Sequence, residues 1–320
     1  MTAPVRVALV GCGRISQTHF EAIREVDGIE LVAVCDIIEE RAREAGKQND
    51  VPWFTAYPKM LADVPSDAVA ICTPSGLHPQ HGILAARAGK HVICEKPYST
   101  SAAEVEEAHD LADASGLVLT EGFMWRHGPH AIRFLEELPR IGELRTVRAT
   151  FSFQIESEDD IRLSRELAGG SLMDVGTYCV SAARLLVGRE PLWAMGVAWP
   201  AESGVDERFS GILDFGDGVV ATLTSGFRSR HSGIEAIGSE GSLRLDDPFA
   251  GRATKLVGSD GFEVTIPKVD PYELELDDFA AAIRHERPVR LGRADMLGQA
   301  RALGALYESA ASGRVVAVGG

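Results

Sequence analysis

The chain has 320 residues, more than the ~250–300 at which a single hydrophobic core stops growing, so two domains sharing a cleft are expected. Lys plus Arg number 32 against 47 Asp plus Glu, a net charge of −15 that is the wrong sign for binding nucleic acid or docking on an anionic membrane. The 45% hydrophobic and 25% charged fractions are those of an ordinary soluble globular protein, and no apolar run reaches the ~20 residues of a membrane-spanning helix.

The first apolar run, VRVALV (5–10), leads into Gly11-Cys12-Gly13. Leu9-Val10-Gly11-Cys12 has the form of a lipoprotein cleavage site. The apolar stretch before it is interrupted by Arg6, however, and falls short of the ~7–15 residues of a signal h-region. The segment reads as a strand entering a glycine turn, and the mature protein is expected to begin where the sequence begins. Further runs follow at 29–35 (IELVAVC), 67–72 (DAVAIC), 91–94 (HVIC) and 117–120 (LVLT). Helix-like stretches at 15–26, 37–46, 77–88 and 101–114 separate them. This alternation predicts βαβ units with right-handed crossovers, hence a doubly wound parallel sheet of Rossmann type over residues 1–122.

Beyond residue 140 the pattern changes. Residues 208–227 read as two strands around Gly216-Asp217-Gly218, and 232–247 as a second pair turning at Gly238-Ser239-Glu240-Gly241. With helices at 171–187, 270–285 and 293–312, residues 123–320 are predicted to form an α+β domain on a mainly antiparallel open sheet. The five cysteines, Cys12, Cys35, Cys72, Cys94 and Cys179, are scattered and mostly end apolar runs. That is the pattern of buried thiols in a reducing compartment, and the cytoplasm is the expected location.

Gly11 permits a tight turn after the first strand, and Gly13 lets the backbone approach a pyrophosphate on the helix N-terminus that begins at Arg14 and Ile15. Ser16 stands where the usual fingerprint has its third glycine and is small enough for close helix–strand packing. Asp36 follows at the ~20-residue spacing of the acid that binds the adenosine ribose. The plain alternative is that Asp36 only caps the helix after it. In HVICEKPYS, Glu95, Lys96 and Pro97 sit at the carboxyl end of a strand, the edge where parallel sheets bind ligands.

Taken with GCGRIS (11–16), CTPSGLHPQH (72–81), EGFMWRHGPH (121–130) and RLSRELAGGSLMDVGTY (162–178), this segment makes the chain resemble the Gfo/Idh/MocA oxidoreductases over essentially its whole length. The resemblance implies a Rossmann domain binding NAD, with NADP possible, and a second domain for substrate and oligomerisation. It implies Lys96 as a catalytic residue beside the nicotinamide. Thr73, Pro74, Ser75, His78 and Glu95 become cofactor neighbours; Ser75 departs from the Asn common in relatives. Trp125, Arg126 and Arg162 match positions near the substrate, although an ion pair is the plain reading of either arginine.

Gly169-Gly170 end a loop, and Ser171 is a candidate N-cap for the following helix. Asp174 and Tyr178, four apart, would share one helix face. By residue type alone they are a first-turn acid and a half-buried aromatic; the resemblance makes them an acid–base pair presented to Lys96. Tyr178, where many relatives have histidine, places the chain nearer glucose-fructose oxidoreductase, dihydrodiol and xylose dehydrogenases and deoxysugar 3-ketoreductases than inositol dehydrogenases. His78/His81 and His127/His130 have metal-pair spacing but no further ligands beside them, so no metal site is expected.

The expected activity is hydride transfer between the nicotinamide and a secondary alcohol or ketone of a sugar or cyclic polyol. Tyr178 would accept the hydroxyl proton, Lys96 would stabilise the oxyanion, and Asp174 would orient the substrate or Tyr178. Two alternatives remain: a non-catalytic NAD(P)-binding ligand sensor, and a glycosidase that uses NAD transiently. An open sheet with an uncovered apolar face further predicts a homodimer or homotetramer.

Overall fold

The computed structural model describes residues 3–319, which divide into two compact units. One contains the chain up to Met124 together with Tyr272–Leu297; the other contains Trp125–Pro271 and the chain from Gly298 onward.

In the first unit, β1 (Val5–Val10), α1 (Arg14–Glu25), β2 (Ile29–Cys35), α2 (Glu39–Asn49), β3 (Trp53–Phe54), α3 (Tyr57–Asp63), β4 (Ala68–Ile71), α4 (His78–Arg87), β5 (His91–Glu95), α5 (Ala102–Ala114) and β6 (Leu119–Gly122) alternate as expected. The six strands are parallel, in the order β3-β2-β1-β4-β5-β6. Helices cover both faces of such a sheet, so its central strands are apolar throughout: Val7, Ala8 and Leu9 are essentially inaccessible. Ser16, His19, Phe20 and Ile23 recur at helical spacing on α1 and form its buried side. The order reverses between β1 and β4, which makes the crevice beyond their carboxyl ends the place where a doubly wound sheet binds ligands.

The second unit carries α6 (Pro129–Glu137), β7 (Leu144–Gln154), α7 (Thr177–Val187), β8 (Trp193–Pro200), β9 (Asp206–Asp214), β10 (Val220–Gly226), β11 (Arg228–Gly238), β12 (Ser242–Asp246), β13 (Lys255–Gly258) and β14 (Glu263–Thr265). These strands and a short β15 (Val316–Ala317) form a nine-stranded sheet ordered β14-β13-β12-β11-β7-β10-β9-β8-β15. Every neighbouring pair is antiparallel except β7 with β10. Both predicted hairpins are present, as β9–β10 and β11–β12.

Two readings are corrected. The helix predicted at 270–285, α8 (Pro271–Ile283), does not belong with the second half as its place in the sequence predicts: Leu276, Phe279 and Ala280 are buried in one cluster with Val5, Val7, Leu9 and Phe20. The chain thus returns to the first unit before α9 (Arg293–Ser312). An apolar helix face does not say which core will bury it. The helix predicted at 171–187 is not uniform either: Leu172–Gly176 form a π-helical turn and the α-helix begins at Thr177.

Candidate active site

The residues predicted to hold a dinucleotide lie at the carboxyl edge of the first unit's sheet. Gly11 has φ +94°, and a Cβ there would lie 2.6 Å from the carbonyl carbon of Cys72, so both conformation and space demand glycine. Gly13 is different. It is the N-cap of α1 without a side-chain cap, and a Cβ on it would meet nothing within 4 Å. With no acidic residue in the first turn of α1 either, this is an open, uncapped helix N-terminus followed by Arg14 and Ile15, suited to a pyrophosphate.

Asp36 turns back toward the same turn. Its Oδ2 accepts from the Cys12 N–H at 2.8 Å and its Oδ1 from the Ile38 N–H at 2.8 Å. The carboxylate therefore braces the glycine turn and caps the start of the next segment at once. Each oxygen keeps a further lone pair for a ribose hydroxyl.

Beyond β4, Thr73, Pro74 and Ser75 lead into α4. The buried His78 places its ring nitrogens 2.7 Å from the Thr73 carbonyl oxygen and 2.8 Å from that of Pro97, tying this loop to the one after β5. The Lys96–Pro97 peptide bond is cis. Behind Lys96, Glu95 is buried and its Oε1 lies 2.8 Å from Nε2 of His19. Burial alone would lower the His19 pKa, but facing Cys72 and Glu95 it is pushed well above the usual histidine range. Burial likewise opposes ionisation of Glu95, yet His19 and Lys96 hold it below the ordinary carboxylate value. The two form a buried ion pair directly behind the lysine. His19 carried no functional signal in the sequence: it is one of several residues on the inner side of α1, and its partner is 76 positions away.

In the second unit, Arg162 and Asp174 come together. Arg162 Nε donates to Asp174 Oδ2 at 2.6 Å, and its Nη1 lies 3.2 Å from Asp160. Burial works against the Arg162 charge, but Asp174 and Asp160 outweigh it and keep the guanidinium firmly protonated. Tyr178 is 7% exposed, with its ring 5.5 Å from Phe151 and 5.5 Å from Phe249. Those two aromatics escaped the sequence reading because only the pairing of the sheet brings them to α7.

Asp174 lies in the π turn and Tyr178 in the α-helix, so their four-residue spacing crosses a junction instead of spanning one α turn. π turns of this kind are common at functional sites. Arg126 reaches Ser181 Oγ at 3.3 Å, while Trp125 is 1% exposed, stacked on His130 and edge-on to Phe249. Ser171 holds the N-cap position, but its backbone is helical and its side chain makes no capping hydrogen bond; its hydroxyl donates instead to Asp206 Oδ2 at 2.8 Å. Among the described residues no group of three or more His, Cys, Asp or Glu side chains is placed to hold a metal ion, and no helix is long and apolar enough to cross a membrane.

A doubly wound sheet with an open glycine turn at its switch point, followed along the chain by a second unit built on a large mainly antiparallel sheet, is the build of an NAD(P)-dependent oxidoreductase. Residues 5–123 match the family model of the oxidoreductase family with NAD-binding Rossmann fold, and residues 131–244 match the GFO/IDH/MocA C-terminal domain. The chain belongs to the GFO/IDH/MocA oxidoreductases.

It is 34% identical over 297 residues to D-xylose 1-dehydrogenase (NADP(+)) 2 of Haloferax volcanii, covering 90% of this chain and 91% of that protein. It is 35% identical over 293 residues to the dTDP-3,4-didehydro-2,6-dideoxy-alpha-D-glucose 3-reductase of Streptomyces violaceoruber, covering 88% and 85%. Among solved structures, aldose-aldose oxidoreductase from Caulobacter crescentus superposes with a TM-score of 0.90 at 26% identity, covering 98% of this chain and 99% of that one.

Proposed function

We propose that the protein moves a hydride between nicotinamide and a CH–OH carbon of a sugar or cyclic polyol, with Lys96, Asp174 and Tyr178 as its chemical groups. The observation that carries this reading is the open cradle at Gly13, on the same sheet edge as Lys96. When bound, the nicotinamide supplies the hydride acceptor or donor. Gly11, Gly13, Arg14 and Ile15 would hold the pyrophosphate, Asp36 the adenosine ribose, and Thr73, Pro74, Ser75, His78 and Glu95 the nicotinamide end.

In the oxidising direction the Tyr178 hydroxyl takes the substrate proton, and the Lys96 ammonium stabilises negative charge on the same oxygen. Asp174, fixed by Arg162, orients the substrate or the tyrosine. Arg126, which donates to Ser181 of α7, would contact the substrate, and buried Trp125 would act through its packing on Phe249. Pyranoses, polyols and keto-sugars assayed by nicotinamide absorbance test the reading. Stoichiometric reduction or oxidation of added cofactor with at least one of them is expected; cofactor binding with no turnover on any of them would favour a sensor.

The cofactor preference proposed is NAD over NADP. After Asp36 come Ile37, Ile38, Glu39 and Glu40, so no arginine directly follows it; Arg41 and Arg43 lie a turn further on, and Arg43 is paired with Glu40. A 2′-phosphate would face a carboxylate with no free guanidinium directly beside it. Titration of both dinucleotides at one ionic strength should give the lower Kd for NAD, and tighter binding of NADP would refute this.

Oligomerisation is the other finer proposal. Trp193, Met195, Val197 and Trp199 alternate outward along β8, each 41–48% exposed, and Ile212 of β9 joins them at 45%. A contiguous apolar stripe on a sheet face favours a self-complementary contact, so a homodimer or homotetramer is proposed. Light scattering at micromolar concentration should report it, and Met195→Glu should yield monomers. A wild-type monomer would count against it. The five cysteines are buried and free, which fits a reducing compartment such as the cytoplasm.

A further inference from the structure

The helix that carries the proposed proton-transfer groups starts without a local cap. Instead, a carboxylate from the beginning of β9 reaches its first turn. Asp206 Oδ2 accepts from Ser171 Oγ at 2.8 Å and from the Leu172 N–H at 2.7 Å, while Oδ1 accepts from the Tyr307 hydroxyl at 2.9 Å. Ser171 Oγ also lies 3.0 Å from Ser225 Oγ on β10.

The chain is shaped to admit this approach. Gly170 has φ +124°, and a Cβ on it would overlap Asp206 Oδ1; its N–H donates to the Arg162 carbonyl oxygen at 2.9 Å. Asp206 is 6% exposed, and all its donors are neutral. Burial outweighs them and raises its pKa. A buried carboxylate held only by neutral donors is a demanding arrangement, since a lost partner leaves a polar group unsatisfied.

Two residues after Leu172 comes Asp174, and six after it Tyr178. A second grip lies just before Tyr178. Gln299 Nε2, on α9, donates to the Thr177 carbonyl oxygen at 2.8 Å and lies 2.9 Å from its Oγ1. Gln299 Oε1 in turn accepts from Arg184, which Glu190 holds. Tyr307 and Gln299 both belong to α9, so one helix steadies the Leu172–Gly176 turn at its two ends.

We infer that Asp206, clasped by Ser171, Leu172 and Tyr307, is a positioning residue that sets the π turn on which Asp174 is aligned with Tyr178. This rests on the proton-transfer reading above, but it concerns a residue that touches neither substrate nor cofactor. The clasp works by hydrogen-bond geometry and not by net charge. An asparagine could turn its carbonyl to Ser171 and Leu172 and its amide toward the Tyr307 oxygen, preserving the contacts, whereas a leucine of similar size removes every acceptor.

The experiment compares Asp206→Leu, Asp206→Asn and Tyr307→Phe with the wild-type protein, reading kcat, cofactor Kd and hydrogen exchange. Misplacement on the ångström scale is worth up to ~10² in rate. Asp206→Leu should lower kcat about 10–100-fold with cofactor Kd within about twofold, and should speed exchange selectively in residues 171–178. Asp206→Asn should restore kcat to within about threefold. If the leucine variant does not fold, Tyr307→Phe decides: a kcat loss of about 3–10-fold with local exchange supports the clasp, and an unchanged kcat overturns it.

Wild-type kcat in Asp206→Leu, or faster exchange spread over the whole second unit, would also overturn it. Tyr178→Phe is run alongside. If that variant keeps full activity, the proton-transfer reading has failed, and the clasp is judged by whether exchange loosens selectively at 171–178.

Discussion

Tyr178→Phe is expected to retain fold and cofactor affinity while losing turnover by about 10²–10⁴-fold, the usual worth of a positioned acid–base group. The substitution removes one oxygen and leaves the ring, which is what Phe151 and Phe249 touch. No cavity is created, so the large cost of core truncation does not arise. The residues proposed to bind the dinucleotide all belong to the first unit, whereas Tyr178 belongs to the second, so cofactor Kd should be insensitive. Measured on a confirmed substrate, kcat and kcat/KM should fall together, because the lost interaction exists only in the transition state. A near-normal kcat would mean that Tyr178 only packs, and that Lys96 or a bound water moves the proton.

Lys96→Met should be at least as damaging. The methionine keeps most of the side chain's apolar length but removes a cation and three N–H donors. It removes one of the cations that favour ionised Glu95 but leaves the His19–Glu95 ion pair in place, so the fold should hold. If Lys96 eases proton loss from Tyr178 as well as stabilising the oxyanion, the double variant should be little worse than the poorer single one. Fully multiplicative losses in the double variant would show that the two residues act independently.

The parts of this account legible in the sequence are those written in local geometry. Gly11 is read from the turn it must make, and Asp36 from its spacing to that turn. The β9–β10 and β11–β12 hairpins are read from their glycines, because only certain residues adopt the required backbone. β3 was not legible: it is two residues long and exists through its pairing with β2. β7 was missed as the strand that later becomes parallel partner to β10, since register between distant segments leaves no periodic mark.

The same holds for the site. Ser171 has the residue type of a cap, and local propensity favours that role. A carboxylate 34 positions beyond Leu172 took the N–H group instead, and the serine became one of its donors. His19 and Glu95, Arg162 and Asp174, and Asp206 and Tyr307 are all pairs made by packing. For these the sequence supplies residue types but not partners.

The central claim is net hydride transfer from a carbinol carbon, and isotope labelling tests it most directly. A substrate from the sugar and polyol panel is deuterated at the reacting CH–OH carbon and incubated with the protein and an oxidised dinucleotide. The free reduced cofactor is then recovered and its C4 position analysed. The account predicts one deuterium per molecule of reduced cofactor, in step with the oxidised sugar formed. Reduced cofactor without label, or label returned to a cleaved sugar with no accumulation of reduced cofactor, would contradict it.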